Sequence, residues 1–242
     1  MLPASAFLAL WNDIAAHREA EYDQWHTLEH VPERVAVTGF RGARRYVDRS
    51  RAQHRYFTLY EVEATAVFSS AEYRDLLDHP TPWSLSMRPD FSNFIRAICE
   101  VTLSRGTGAG AALACLCVPP ATGEASLHAA LETAAALETA AALPRINAIH
   151  CGRRTDTGIA APFSAPATGA APLREFNRVA LIEALDREAA ESALRSVQHA
   201  LGLDALPRDF GAGVYDLAFV FPGADALERL RHRRPGWGRA GA

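Results

Sequence analysis

The chain has 242 residues and a formal charge of -3, enough length to bury a sizeable core in one domain or two and no basic footprint of the kind nucleic-acid binders carry. No apolar run approaches the roughly 20 residues of a membrane span, and the start MLPASAFLALWND meets Asp13 without a charged n-region, so a soluble, cytoplasmic protein is expected. All 25 basic residues are arginine, which, beside so much alanine, reads as a composition bias rather than a functional signal.

In chain order, the apolar run Ala6 to Trp11 predicts a strand covered on both faces. A helix is expected from about Ala16 to His30, ended or kinked at Val31 because Pro32 disfavours helical geometry before it. After a Thr38-Gly39 turn come strands Arg41 to Asp48 and Arg55 to Glu63. A helix over Phe68 to His79 is stopped by Pro80 and Pro82, and Asn93 to Leu103 is the fourth strand. The order βαββαβ is the split ferredoxin-like unit. Cys99, Cys115, Cys117 and Cys151 form no CxxC pair and are expected to be reduced and buried.

The second half repeats that order, and a repeat outranks a single motif as a guide to architecture. Ala111 to Val118 matches the first strand, Leu127 to Ala142 is an alanine-rich helix, Arg187 to Leu201 the next and Gly213 to Phe221 the last strand. Leu59 and Glu61 fall on Leu181 and Glu183 at an offset of 122 (181 - 59). Aligning Arg44 and Arg45 with Arg153 and Arg154 gives 109 (153 - 44), so 13 extra residues (122 - 109) are assigned to the connection over 155–173. That connection, rich in Gly, Pro, Ala and Thr, and the basic tail are expected to be the least ordered parts. The predicted fold is α+β: ferredoxin-like units over 1–106 and 109–222, packed sheet to sheet as an internal pseudo-dimeric barrel, with a tail over 223–242.

The run Trp25-His26-Thr27-Leu28-Glu29-His30-Val31-Pro32-Glu33-Arg34, with Gly39-Phe40 and Ala43-Arg44-Arg45-Tyr46, resembles the first helix and second strand of EthD-like proteins in the dimeric α/β barrel superfamily. The likeness covers about the first 46 residues. Thr38 departs from a common proline, and His26 from a tyrosine frequent in relatives. It implies a cofactor-free enzyme or binding protein for small aromatic or polyketide-like carbonyl compounds, with the cavity between the first half's sheet and helices. The second half has no Glu-His-x-Pro segment, which places any site in the first.

A histidine with an ordinary pKa near 6.5 can move protons at cellular pH, and a neighbouring carboxylate raises that pKa. His30, Glu29 and His26 are therefore the catalytic candidates, and Tyr22, Trp25, Arg45, Tyr46, His79 and Trp83 the substrate-binding ones. The bland alternative makes His30 a cap on the helix C-terminus; on a helical wheel His26 and His30 lie nearly opposite Leu28. His26 to His30 also reads H-x-x-E-H, the inverted zinc-peptidase order, but the pattern needs a third ligand from a nearby helix, the candidate Glu100 sits on a predicted strand, and no metal or other cofactor is assigned. Haem ligation through His79 or His150 has no signature. The arginines at 41, 44, 45, 49, 51 and 55 suit a solvated hairpin better than an anion site. Three classes stay open: a cofactor-independent cyclase, isomerase or monooxygenase; a non-catalytic small-molecule binding protein; and a haem or metal protein. The expected partner is a small molecule rather than nucleic acid or membrane, and a homodimer of the two-unit chain is left open.

Overall fold

The structure, a computed structural model, describes residues 4–140, 145–155, 175–205 and 211–223. The expectations for the 155–173 connection beyond Thr155 and for the tail beyond Gly223 lie outside the described residues. The strands are β1 Ala6–Ile14, β2 Phe40–Val47, β3 Tyr56–Val62, β4 Phe91–Gly106, β5 Ala112–Val118, β6 Ile146–Arg154, β7 Arg178–Ala184 and β8 Ala212–Pro222. They close into one antiparallel barrel in the order β1-β3-β2-β8-β5-β7-β6-β4. β4-β1-β3-β2 and β8-β5-β7-β6 are the two ferredoxin orders, joined by β2 to β8 and by β4 to β6. The α+β barrel expected from the two-sided apolar strands is what forms.

Its closure explains the composition of those strands. Alternate residues such as Phe7, Ala9, Trp11, Phe57, Leu59, Leu113, Cys115 and Leu181 meet inside the barrel, while their neighbours pack under helices, so both faces are dry. All four cysteines are buried free thiols. The second half's helices, α5 Glu124–Ala140 and α6 Arg187–Ala200, lie close on their sheet because alanines 130, 134, 189, 190 and 193 admit near approach. No helix is long and apolar enough to cross a membrane among the described residues.

The pairing corrects the internal alignment. Arg44 lies opposite Leu59 and His150 opposite Leu181, so the structural mate of Arg44 is His150, at an offset of 106 (150 - 44), and not Arg153. The added length between the second and third strands of the second half is then 16 residues (122 - 106). The arginine pairs misled because composition, not position, made them look alike: Arg153 is exposed and pairs with Glu100 at 3.1 Å. The mate of Tyr46 is Gly152, whose Cβ would sit 2.5 Å from the Phe7 ring and 2.6 Å from Cys99 Cβ. Gly152→Ala should therefore cost about 1–3 kcal/mol by overpacking, read as a lower urea midpoint at unchanged m-value.

The pseudo-symmetric interior positions also hold a buried polar network. Arg44 binds Glu61 through Nη2, and its Nη1 donates to Glu183 Oε1 at 2.7 Å. Glu183, wholly inaccessible, also accepts from Tyr46 Oη at 3.1 Å and from the Gly110 N–H at 2.9 Å. This corrects two expectations: Arg44 belongs to no solvated hairpin, and Tyr46 faces the barrel interior rather than a helix-covered cavity.

Candidate functional site

The first helical passage does not stop at Pro32. It runs from α1 Glu19–Trp25 through a π-helical turn, His26–His30, into α2 Val31–Val35. Proline removes a donor and crowds the carbonyl four residues back; a π-turn, with the Val31 N–H bonded to His26 O, widens the ladder there and lets the helix continue. His30 is thus mid-helix and 7% exposed, which overturns both the helix-end geometry and the capping reading. The wheel's opposition of Leu28 to the two histidines holds, but the exposure it favoured for them does not: Leu28 is 52% exposed while His26 and His30 turn inward, covered by the sheet and by helices that follow β3.

Those helices are shorter than expected. A 3-10 turn at Thr65–Ser69 precedes α3 Ala71–Asp78, capped by Ser70, and a further helix, α4 Pro82–Met87, starts where the prolines were expected only to end one. Thr81 Oγ1 accepts from the Ser84 N–H at 3.0 Å, and Pro82 takes a first-turn position where its missing N–H costs nothing. Thr81-Pro82 was the signal in the sequence for this start.

Between α1, the π-turn, α2 and the outer face of the sheet lies a cavity of about 40 Å³. Tyr22, Trp25, His26, His30 and Arg34 line it from the helices, Leu8, Leu10 and Asn12 from β1, Thr58 and Tyr60 from β3, and Phe91, Phe94 and Arg96 from β4. Tyr73 and Leu77 of α3 close it. That volume holds only a few waters at roughly 10–15 Å³ each, so a larger ligand enters by displacing a wall. α3 is the wall least tied down, since Tyr73 is its one buried residue. A larger groove of about 480 Å³ between β4 and α5, lined by Thr102, Ser104, His128 and Glu132 among others, is an open surface channel.

Of the expected site residues, the structure brings Tyr22, Trp25, His26 and His30 together. The Trp25 and His30 rings lie 4.3 Å apart and tilted by 37°, the two imidazoles lie 5.4 Å apart, and Tyr22 sits 5.3 Å from His26. His26 Nε2 meets Thr58 Oγ1 at 3.3 Å, and Tyr22 Oη donates to Asn12 Oδ1 at 3.3 Å. The other candidates lie elsewhere. Glu29 points away from both imidazoles: its Oε1 accepts from Thr81 Oγ1 at 2.5 Å and Ser84 Oγ at 3.3 Å. Through Ser84, which also accepts from Trp25 Nε1 at 3.2 Å, it fixes the indole against which the His30 ring lies. Arg45 sits behind His26, against the Asp23 carbonyl and carboxylate at 3.4 and 3.6 Å. His79 is exposed and bound to Asp75 at 2.9 Å, and Trp83 donates to Glu21 at 3.0 Å on the cavity's outer side.

Sequence reasoning missed Asn12, Arg34, Thr58, Tyr60 and Arg96. Arg34 was findable, because 26, 30 and 34 form one face at a spacing of four; assuming a break at Val31 put it off the helix. Electrostatically the site favours neutral histidines. Burial, then Arg45 and Arg34, holds His26 well below the usual imidazole range; burial, then Arg34 and His26, does the same to His30. Asn12 Nδ2, Tyr60 Oη and the Nδ1 atoms of both histidines are buried with no hydrogen-bond partner among the described residues. With Glu29 engaged by α4, the H-x-x-E-H side chains do not converge, and no three His, Cys, Asp or Glu side chains are placed to hold a metal among the described residues. His150, inside the barrel with Nδ1 3.0 Å from Ser104 Oγ, lines with Arg44, Glu61 and Phe221 an opening of about 240 Å³ at the β2–β8 seam.

No protein-family model matches the chain, and no curated protein sequence matches it significantly. Solved structures do. A candidate monooxygenase of Fusobacterium nucleatum aligns over 91% of this chain and 95% of its own with a TM-score of 0.53 at 11% identity. An anthrone oxidase-like protein gives 0.54 at 11% identity over 89% and 91%. The chain has the dimeric α/β barrel fold. A mutant chlorite dismutase from Candidatus Nitrospira defluvii shares the dimeric α/β barrel at a TM-score of 0.50 and 7% identity, over 89% and 92%. At such identities the likeness fixes the fold and leaves the chemistry to the residues.

Proposed function

We propose that this chain is a cofactor-independent enzyme, of the EthD-like kind its first helix resembles, acting on a small aromatic or polyketide-like carbonyl compound in the first-half cavity. The observation that carries the reading is the pair of neutral, buried histidines beside partnerless donors in an aromatic-walled cavity. A buried polar group without a partner costs roughly 1–3 kcal/mol, and a carbonyl ligand would relieve several at once. The names of two structures of like fold, a candidate monooxygenase and an anthrone oxidase-like protein, agree with this class.

The chemistry is a proton transfer. A C–H bond beside the substrate carbonyl breaks, its proton passes to an imidazole nitrogen of His30, and the electron pair moves onto oxygen as an enolate held by Tyr60 Oη and Asn12 Nδ2. Return of the proton to another atom completes an isomerisation or a cyclisation. In an oxygenation, dioxygen is the co-substrate: a CH2 beside the carbonyl is oxidised to C=O, one oxygen atom entering the carbon and the other leaving as water with the two hydrogens that carbon gives up. Trp25 sets the plane of His30, and Glu29 acts as a positioning residue through α4.

The test is exchange of α-hydrogens of aryl ketones with D2O, followed by NMR. Wild type should accelerate exchange, and His30→Gln should lower the rate about 10²- to 10⁴-fold while retaining the fold's circular dichroism. Saturable binding of the ketones with no acceleration would instead establish the non-catalytic binding protein.

A further inference from the structure

We propose that the compound bound in this cavity carries a carboxylate, and that Arg34, aided by Arg96, is the residue that selects it. The inference rests on the cavity reading above and adds the charge of the ligand to it. Two guanidinium groups line the space, and among the described residues no aspartate or glutamate lines it. Three other arginines of the first half are matched by carboxylates: Arg44 by Glu61 and Glu183, Arg45 by Asp23, Arg55 by Asp13 and Glu19. Arg34, half-buried, has no ion-pair partner among the described residues. A guanidinium presents a rigid fork matched to a planar carboxylate, so such an anion is bound with direction as well as charge.

Arg96 already touches protein, with Nη2 3.5 Å from Tyr73 Oη and its guanidinium 5.6 Å from the Phe68 ring. It ties α3 to β4 at the same rim, so an anion drawn between the two arginines would sit where the ligand must enter. There is a catalytic consequence. After burial, Arg34 is among the charges that depress both imidazoles; a carboxylate on Arg34 would offset that part and make His30 a stronger base when substrate is bound, with burial still holding it below the ordinary range.

Titration of the full chain with salicylate and with salicylamide, followed by Trp fluorescence and calorimetry, tests this. Wild type should prefer salicylate by about 10- to 100-fold, the range for a charge-assisted pair, and the preference should shrink with salt. Arg34→Gln should bring the two probes within about 2-fold by weakening salicylate alone, and Arg34→Lys should restore part of the gap. Arg195→Gln, an exposed change on α6, should alter nothing. Equal affinities in wild type, no saturable salicylate binding, or equal weakening of both probes in Arg34→Gln would overturn the proposal. The two readings fail separately: His30-dependent exchange without carboxylate preference removes only this one, and carboxylate preference without exchange removes only the catalytic one.

Discussion

Replacing Arg44 with methionine should lower the free energy of unfolding by about 3–5 kcal/mol, the range for removing one partner from a buried ion pair. Arg44 is the cation between Glu61 and Glu183 inside a closed barrel, and without it two carboxylates face each other in a dry interior. Part of the loss should be recovered by protonation. Burial already raises the Glu183 pKa, with Arg44 foremost among the groups that oppose it, so in the variant Glu183 should bind a proton well above its unfolded value. A raised carboxyl pKa stabilises the folded state in acid and loses that effect as pH rises, so the deficit against wild type should be smaller at pH 5 than at pH 8. Urea unfolding at both pH values measures it; a deficit below about 1 kcal/mol at pH 8 would mean that water reaches the network. Arg44→Met with Glu61→Leu and Glu183→Leu is the informative companion, since a buried ionic cluster replaced whole is often neutral or stabilising.

The network also shows what could be read ahead of the structure. Element order and the doubly apolar strands were sufficient for the barrel, because a strand apolar on both faces has to be covered twice and two four-stranded sheets with helices on one side each can do that together. Register was another matter. Strand pairing is fixed by which residues sit opposite each other, and RINAIHCGRR offers arginines at its end while the position equivalent to Arg44 holds His150. Charge type drew the alignment three residues off (153 - 150). Only the interior alternation, with Ala148, His150 and Gly152 facing inward, corrects it.

For the site, the sequence located the helix but not its path. Pro32 was read by its usual effect on the preceding residue, whereas a π-turn absorbs the missing donor and keeps His26, His30 and Arg34 on one face. Glu29 illustrates a different limit: adjacency to His30 suggested a dyad, yet consecutive helical residues point about 100° apart, and Glu29 reaches α4 while His30 reaches the cavity. Tyr46 and Arg45 follow the strand rule, with alternate residues on opposite faces, so at most one of them could have faced the helices. Residues contributed by strands, such as Asn12, Thr58 and Tyr60, carry no local motif; they become visible only when β1 and β3 pair antiparallel, Asn12 opposite Tyr56 and Leu10 opposite Thr58.

Acidification from pH 7 to 5 should destabilise the protein by several kcal/mol, a large share of the roughly 5–15 kcal/mol that holds a domain together. His26, His30 and His150 are all buried and held below their ordinary pKa, His150 down to about 3, by burial first and then by Arg45 and Arg34, by Arg34, and by Arg44 respectively. Unfolded, each would titrate near 6.5. Between the unfolded and folded pKa the unfolded chain binds more protons, so stability is full above about pH 6.5 and falls as pH drops below it, by up to about 1.4 kcal/mol per pH unit per histidine. Glu33 and Glu183 act in the opposite sense, because burial raises their pKa and acid relieves the cost of their charge. The slope should therefore lie below the three-histidine limit yet keep its sign. Unfolding free energies at pH 7, 6 and 5 give it directly, and His150→Asn should flatten it without touching the cavity. A stability independent of pH across this range, with imidazole NMR signals titrating near 6.5, would place these histidines in water and remove the basis for a neutral pair in the cavity.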